Sequence, residues 1–239
     1  IMPLPTITTP TYELNLPSND KKIKYRPFLV KEEKILILAM ESEDTKQITN
    51  AITDVLNSCI ITRGVKVDKL PTFDIEYLFL NVRAKSIGEV VDLVVTCSDD
   101  GETKVDVAVN LDDIKVERKE NHKKDIKLDK NLSLRLKYPS MEQFIKSNFD
   151  FDGTNVDASF KMIAGCIDQI YTDEEAWPGS DYTEKERIAF LDQLNTKQFK
   201  EVEQFFDTMP KLSHKMVVKN PKTGVDNDVV LEGLASFFV

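Results

Sequence analysis

Apolar positions crowd most densely between Ile35 and Met40, where Ile35, Leu36, Ile37, Leu38, Ala39 and Met40 follow one another without a polar break. Such a run covers the whole circumference of a helix, so Glu32–Met40 is expected to be a helix buried on all sides, with a buried strand as the alternative. Upstream, Pro27 fixes the backbone, and the Glu32-Glu33 doublet suits a helix start because carboxylates are stabilised at the positive end of the helix dipole. Downstream, Ser42-Glu43-Asp44-Thr45 is a polar break with cap-type residues ahead of a second helix.

The flanking pattern is regular. Pro3, Pro5, Pro10 and Pro17 keep residues 1–20 extended, and the alternation Tyr12-Glu13-Leu14-Asn15-Leu16 suits a short strand, followed by another from Lys22 to Tyr25. Ile48, Ile52, Val55, Leu56 and Cys59 stand at helical spacing, which predicts a helix over 45–59. Thr72 is a candidate cap for a third helix running to about Ser86 and ended by Gly88.

The period then changes to two. Val90–Cys97 and Lys104–Leu111 are rich in β-branched residues and flank Ser98-Asp99-Asp100-Gly101, the signature of a hairpin. Residues 112–130 are a mixed charged run, expected to hold a strand at Ile114–Val116 and then a polar loop. Leu132–Tyr138 alternates as a strand with one wet face, and Pro139-Ser140-Met141-Glu142 opens a short helix through Phe144 and Ile145.

Beyond Gly153, helices are expected over about 155–171, capped by Thr154 or Asn155, then about 183–194 and about 196–208. The first would bury Phe160, Ile163, Ile167 and Ile170. Thr183-Glu184-Lys185-Glu186 has the form of a capping box. Asp173–Asp181 reads as an acidic loop around Trp177, which either covers the core or stands out as an aromatic anchor. His214–Lys219 and Asp228–Leu231 form a last hairpin. Leu234, Phe237, Phe238 and Val239 then end the chain, either docked on its own core or offered to a partner.

The fold class is therefore α+β: a helical N-terminal core, antiparallel hairpins, an acidic helical segment and a C-terminal hairpin. Two domains are expected, 1–149 with a Pro-rich arm and 150–239 with the apolar tail.

At 239 residues the chain can bury a substantial core without disulfides. Cys59, Cys97 and Cys166 are too few and too widely spaced for a disulfide framework or a Cys-x-x-Cys knuckle, so reduced thiols in a cytoplasmic protein are expected. The opening Ile1-Met2-Pro3-Leu4-Pro5 lacks the charged lead and apolar run of a secretory signal, and no apolar run is long enough for a membrane span. The net charge of −9 is concentrated between Asp150 and Asp207, which hold 14 acidic and five basic residues. That placement argues against nucleic acid as a partner and fits either a solvated helical face or an acidic docking surface, with Glu174 and Glu175 at its centre.

No catalytic constellation is visible. His122 and His214 lie in or beside polar segments without a surrounding motif, and phosphate-binding glycine loops and His-Glu-x-x-His are missing. Asp99-Asp100-Gly101-Glu102 and Asp150-Phe151-Asp152-Gly153 do not continue into a calcium loop. No catalytic residue, cofactor or metal ligand is assigned. An enzyme could still be built from paired carboxylates on different elements, and it would require one with a raised pKa.

The residues do carry a resemblance. Arg26-Pro27-Phe28-Leu29-Val30-Lys31-Glu32-Glu33-Lys34-Ile35-Leu36, with Glu41-Ser42 after it, is similar to the signature of the T4-type phage baseplate hub assembly proteins. Leu70-Pro71-x-Phe73-Asp74-Ile75-Glu76-Tyr77-Leu78-Phe79-Leu80-x-x-Arg83-Ala84-Lys85-Ser86-x-Gly88 resembles a second block of that family, and Leu231-Glu232-Gly233-Leu234-x-x-Phe237-Phe238 resembles its ending. Members often carry paired cysteines in two hairpins, in the manner of zinc ribbons. Here the first hairpin has only Cys97 and the second, around Asn220-Pro221-Lys222-Thr223-Gly224, has none, so four zinc ligands are not expected and side chains must hold the hairpins.

The resemblance implies a non-enzymatic, chaperone-like factor or minor subunit that binds other baseplate hub proteins and promotes hub assembly in the cytoplasm of an infected bacterium. The alternatives are a permanent structural subunit of the virion baseplate and a carboxylate-based hydrolase. The expected partner contacts are Trp177, Glu174 and Glu175 together with Leu234, Phe237, Phe238 and Val239.

Overall fold

A computed structural model describes residues 7–141, 143 and 156–232, with the Thr45 side chain left aside. The fold is α+β, as the pattern predicts. Six α-helices and 11 strands are assigned among the described residues, and they fall into two compact units.

The first unit comprises Ile1–Val67, Phe73–Glu117 and Lys211–Val239. Strands β1 (Tyr12–Asn15) and β2 (Lys22–Tyr25) form an antiparallel hairpin that pairs Tyr12 with Tyr25 and Leu14 with Ile23. Helices α1 (Val30–Glu41) and α2 (Thr45–Cys59) follow. Asp44 caps α2, its carboxylate accepting from the Lys46 and Gln47 N–H groups at 2.8 and 3.2 Å. Helix α3 spans Thr72–Ser86, so Thr72 lies inside it, and Gly88 follows at φ +146°, a backbone open chiefly to glycine.

Strands β3 (Val90–Thr96) and β4 (Lys104–Asn110) form the expected hairpin. The short strand β5 (Lys115–Glu117) pairs with β10 (Lys211–Lys219), which pairs in turn with β11 (Asp226–Glu232). Leu80 and Ala84 of α3 pack with Val91, Leu93, Val109 and Leu212 in a buried cluster. Because β10 returns to β5, the last hairpin belongs with the N-terminal helices, and the units interleave along the chain where the sequence suggested one boundary at 149 and 150.

The tips of the two hairpins are tied by side chains. Asn220, fully buried, donates from Nδ2 to Asp99 Oδ1 at 2.9 Å and to Asp100 Oδ2 at 3.0 Å. Asn227 Oδ1 accepts from Ser98 Oγ and the Asp99 N–H, both at 2.9 Å, and Thr223 Oγ1 donates to Asp99. Hydrogen bonds thus cross-link these two turns.

The second unit comprises Asp68–Thr72 and Arg118–Pro210. Its antiparallel sheet runs in the order β6 (Asp125–Lys127), β7 (Ser133–Leu136), β8 (Ile167–Tyr171), β9 (Ala176–Pro178). Helices α4 (Val156–Gly165), α5 (Glu184–Leu191) and α6 (Thr196–Thr208) complete it. Ile126, Leu134, Leu136, Ile163, Ile167, Leu191, Val202 and Phe205 form its core.

Two elements here differ from expectation. The helix expected over 155–171 stops at Gly165, and Ile167–Tyr171 is a strand between β7 and β9. Ile163, Ile167 and Ile170 stand at helical spacing, but sheet pairing on both edges outweighs that local signal. Asp125–Lys127, expected to be loop, is an edge strand whose single apolar residue, Ile126, gives almost no periodic signal. Residues 144–155, with Phe144, Ile145 and the candidate caps Thr154 and Asn155, lie outside the described residues.

Candidate protein-docking surface

Helix α1 is where sequence and structure part most informatively. It is a helix, but not one buried on all sides: only Glu32, Leu36 and Ala39 are buried. Val30, Ile37 and Leu38 are exposed by 66%, 50% and 68%. These positions, i, i+7 and i+8, share one stripe, with Lys34 and Glu41 between and beyond them. Ile35 and Met40 are exposed on its flanks. Leu36 and Ala39 face inward with Phe28, in the unit whose α2 buries Ile52, Val55 and Leu56.

The helix is held firmly at its start. Leu29, at the N-cap, has no side-chain acceptor to offer, yet its N–H donates to Glu32 Oε2 at 2.8 Å, the half of a capping box that an N3 glutamate supplies. Glu32 Oε1 takes a charge-assisted bond from Arg26 Nη2 at 2.9 Å and lies 3.3 Å from Lys31 Nζ. Burial pushes the Glu32 carboxyl up, but the Arg26, Leu29 and Lys31 donors together hold it below the usual carboxylate range, while Glu32 pulls the Arg26 guanidinium up.

Arg26 also donates from Nη1 to the Pro27 carbonyl at 2.8 Å and to Cys59 Sγ at 3.9 Å, reaching the end of α2. Burial pushes the Cys59 thiol up to about 11, so it stays protonated and unreactive at neutral pH. The Phe28 N–H donates to Ser86 Oγ at 2.9 Å, bringing the start of α1 beside the end of α3, where Ile87 is also exposed.

The residues expected to bind partners are distributed differently. Glu174 and Glu175 are exposed in the β8–β9 turn, their N–H groups donating to Thr172 Oγ1 at 3.2 and 3.0 Å. Trp177 is half-buried on β9, opposite Ile170. The structure thus brings these three into one hairpin. Leu234, Phe237, Phe238 and Val239 lie outside the described residues. The apolar run of α1 points to burial, and the structure instead exposes Val30, Ile37 and Leu38. The same run is the signal that finds this stripe, since such a helix must be covered by something.

Glu13, Glu32, Asp44, Asp99, Asp100, Asp125, Asp129 and Glu186 are all held below their ordinary values. His122 packs against Tyr138 and Phe205, which also stack on each other, with Nδ1 3.0 Å from Thr208 Oγ1, and burial lowers its pKa. Thr208 Oγ1 donates to the Gln204 carbonyl, so His122 Nδ1 is the donor to Thr208. Among the described residues no group of three or more His, Cys, Asp or Glu side chains could hold a metal ion, and no helix is long and apolar enough to cross a membrane.

A firmly capped helix presenting Val30, Ile37 and Leu38 between isolated charges is suited to the groove or helix face of another chain. Comparison with known proteins gives one assignment: residues 9–239 match a family model described as T4 bacteriophage base plate protein. No curated protein and no solved structure matches the chain.

Proposed function

The chain belongs to the T4 bacteriophage base plate protein family, which gives it a structural or assembly role in the baseplate, and we propose that it is a non-enzymatic factor that binds baseplate hub proteins and promotes assembly of the central hub. The observation that carries this reading is the exposed Val30, Ile37 and Leu38 stripe on α1. Exposed apolar residues grouped on one rigid element are what a protein-docking site requires.

An assembly factor fits better than a permanent subunit because charges interrupt the stripe. Lys34 and Glu41 share its face, and Glu33 adjoins it. Cores of permanent interfaces are depleted of charge, whereas a protein that must stay soluble before meeting its partner keeps charge beside its apolar contacts. The acidic β8–β9 hairpin, with Glu174, Glu175 and Trp177, and the terminal Leu234, Phe237, Phe238 and Val239 are proposed as further contacts. On this reading the protein acts in the host cytoplasm while the baseplate is built.

The test is co-expression of a tagged chain with the other hub proteins of its phage, followed by mass spectrometry of what co-purifies. A hub protein in fixed ratio supports the reading, and its loss in Ile37→Glu/Leu38→Glu and in Phe237→Ala/Phe238→Ala variants with native circular dichroism locates the contacts. A chain that purifies alone overturns it. Mass spectrometry of finished particles distinguishes the factor, which is absent from them, from a subunit, which is present in fixed copy number.

A further inference from the structure

A groove of about 570 Å³ lies in the second unit between β6 and α6, well away in sequence from the α1 stripe. Asp125, Ile126, Lys127 and Leu128 line it from the strand, Gln198, Glu201 and Phe205 from the helix, and Lys123 and Lys197 also belong to the lining. Successive side chains of a strand point to opposite faces, so four consecutive residues can line one cavity only along the strand's edge. That edge is unpaired among the described residues: β6 stands at the end of its sheet and pairs only with β7.

The hydrogen-bond register shows which backbone groups face the groove. The Leu136 N–H donates to the Lys124 carbonyl at 2.9 Å and the Leu128 N–H to the Leu132 carbonyl at 3.0 Å. Every second residue of an antiparallel strand bonds the same neighbour, so Lys124, Ile126 and Leu128 address β7 while the N–H and C=O of Asp125 and Lys127 point outward. Gln198 Nε2 donates to the Leu128 carbonyl at 2.8 Å, pinning α6 to the end of the strand.

The groove also has a sign. The Asp125 carboxylate is already engaged by Arg135 Nε at 2.8 Å and Tyr171 Oη at 2.9 Å. Lys123, Lys127 and Lys197 make no ion pair among the described residues, although the Lys127 charge acts on Asp129, and besides the engaged Asp125 the only acid of the lining is Glu201. Lysines on an edge strand repel most strands that would add to it, and leave it open to one that brings opposite charge.

We propose that this groove admits an extended acidic protein segment as an added strand on β6, its backbone bonded to Asp125 and Lys127. Apolar residues of the guest face Phe205, and alternate acidic residues meet Lys127 and Lys123 on the outer face. The inference goes beyond the docking role of α1 and does not depend on it.

The test is fluorescence anisotropy of the full chain with a labelled peptide of alternating valine and glutamate, compared with its valine–lysine counterpart. Saturable binding of the acidic peptide, at least about tenfold tighter than the basic one, is expected. Lys127→Pro, which removes an outward N–H at a position where edge strands accept proline, should weaken it by about tenfold with an unchanged melting curve. Should that variant melt early, N-methylation of alternate peptide nitrogens makes the same test from the guest's side. Lys123→Glu/Lys127→Glu should reverse the charge preference. Absence of saturation overturns the proposal. So does binding indifferent to both backbone changes, or displacement of the peptide by inorganic phosphate or an oligonucleotide of equal charge, which would mark a general anion site.

Discussion

Arg26 and Glu32 form an ion pair of 2.9 Å in which the glutamate side chain is 3% exposed, and this pair fixes the start of the helix that carries the exposed apolar stripe. Removing one partner of a buried pair strands the other charge, so Glu32→Ala should cost about 3–5 kcal/mol in urea unfolding, with Arg26→Ala comparable. The double replacement Arg26→Met/Glu32→Leu should cost less than either. The pH dependence follows from the lowered Glu32 carboxyl. A group more acidic when folded contributes fully above its unfolded value, about 4.3, and that contribution fades as pH falls through the folded value. Glu32→Gln should therefore flatten the acid limb of stability against pH, and an unchanged acid limb would contradict the assignment.

The clip between the hairpin tips makes a separate prediction. Asn220 is fully buried and uses both ends of its amide, donating to Asp99 and Asp100 and accepting from the Lys222 N–H at 2.8 Å and the Thr223 N–H at 3.3 Å. Asn220→Ala leaves those partners unsatisfied and should destabilise the fold by about 1–3 kcal/mol in thermal or urea unfolding. Asp99 is held acidic by the Asn220 and Thr223 donors, and Asp100 by Thr223's counterpart in its own turn, Thr103, with Asn220 adding to it. Both carboxylates therefore stabilise the fold above their unfolded value of about 3.9 and release that stabilisation below it. The melting temperature should fall across that range in the parent chain and fall less in Asn220→Ala.

Legibility in the sequence followed the strength of local signals. Helix α2 and helix α6 are found over Thr45–Cys59 and Thr196–Thr208, where apolar spacing and cap residues agree. The Thr183 capping box is present, with the Thr183 N–H donating to Glu186 Oε2 at 2.8 Å and the Glu186 N–H to Thr183 Oγ1 at 3.3 Å. Strand β8 was hidden because its isoleucines also fit a helix, and only pairing with β7 and β9 decides between the two. Strand β6 was hidden because an edge strand needs just one buried residue. At the docking surface, apolarity was legible but exposure was not, since a sequence shows that a face must be covered and not whether its own chain covers it.

Gly179 sits tightly against β8. A Cβ placed on it would lie 2.3 Å from the Ile167 carbonyl oxygen, a backbone atom that cannot swing aside. The Gly179 carbonyl also accepts from Arg187 Nη1 at 2.7 Å, tying this point to α5. Gly179→Ala should therefore force the backbones apart and cost about 1–3 kcal/mol or more, as overpacking does. Gly224, at φ +75° with open space around it, should instead be sensitive through its backbone conformation. Urea midpoints of the two alanine variants, with Asn at 224 restoring much of the loss and Asn at 179 restoring none, separate clash from conformational strain.

The α1 stripe is predicted to behave opposite to a core. Ile37 and Leu38 are exposed by 50% and 68%, so replacing both with Gln removes little buried area and should shift unfolding by no more than about 0.5 kcal/mol. Leu36, 7% exposed on the inner side of the same helix, is the control: Leu36→Ala should cost about 2–5 kcal/mol. The outer pair should show itself elsewhere, in reduced binding of an apolar fluorescent dye by the free protein and in loss of hub-protein capture. If Ile37→Gln/Leu38→Gln destabilised the chain as much as Leu36→Ala, the stripe would have to be covered by the chain itself in solution. Retained stability with lost capture would instead assign the apolar run at 35–40 to recognition, with Glu32, Leu36 and Ala39 left to hold the helix in place.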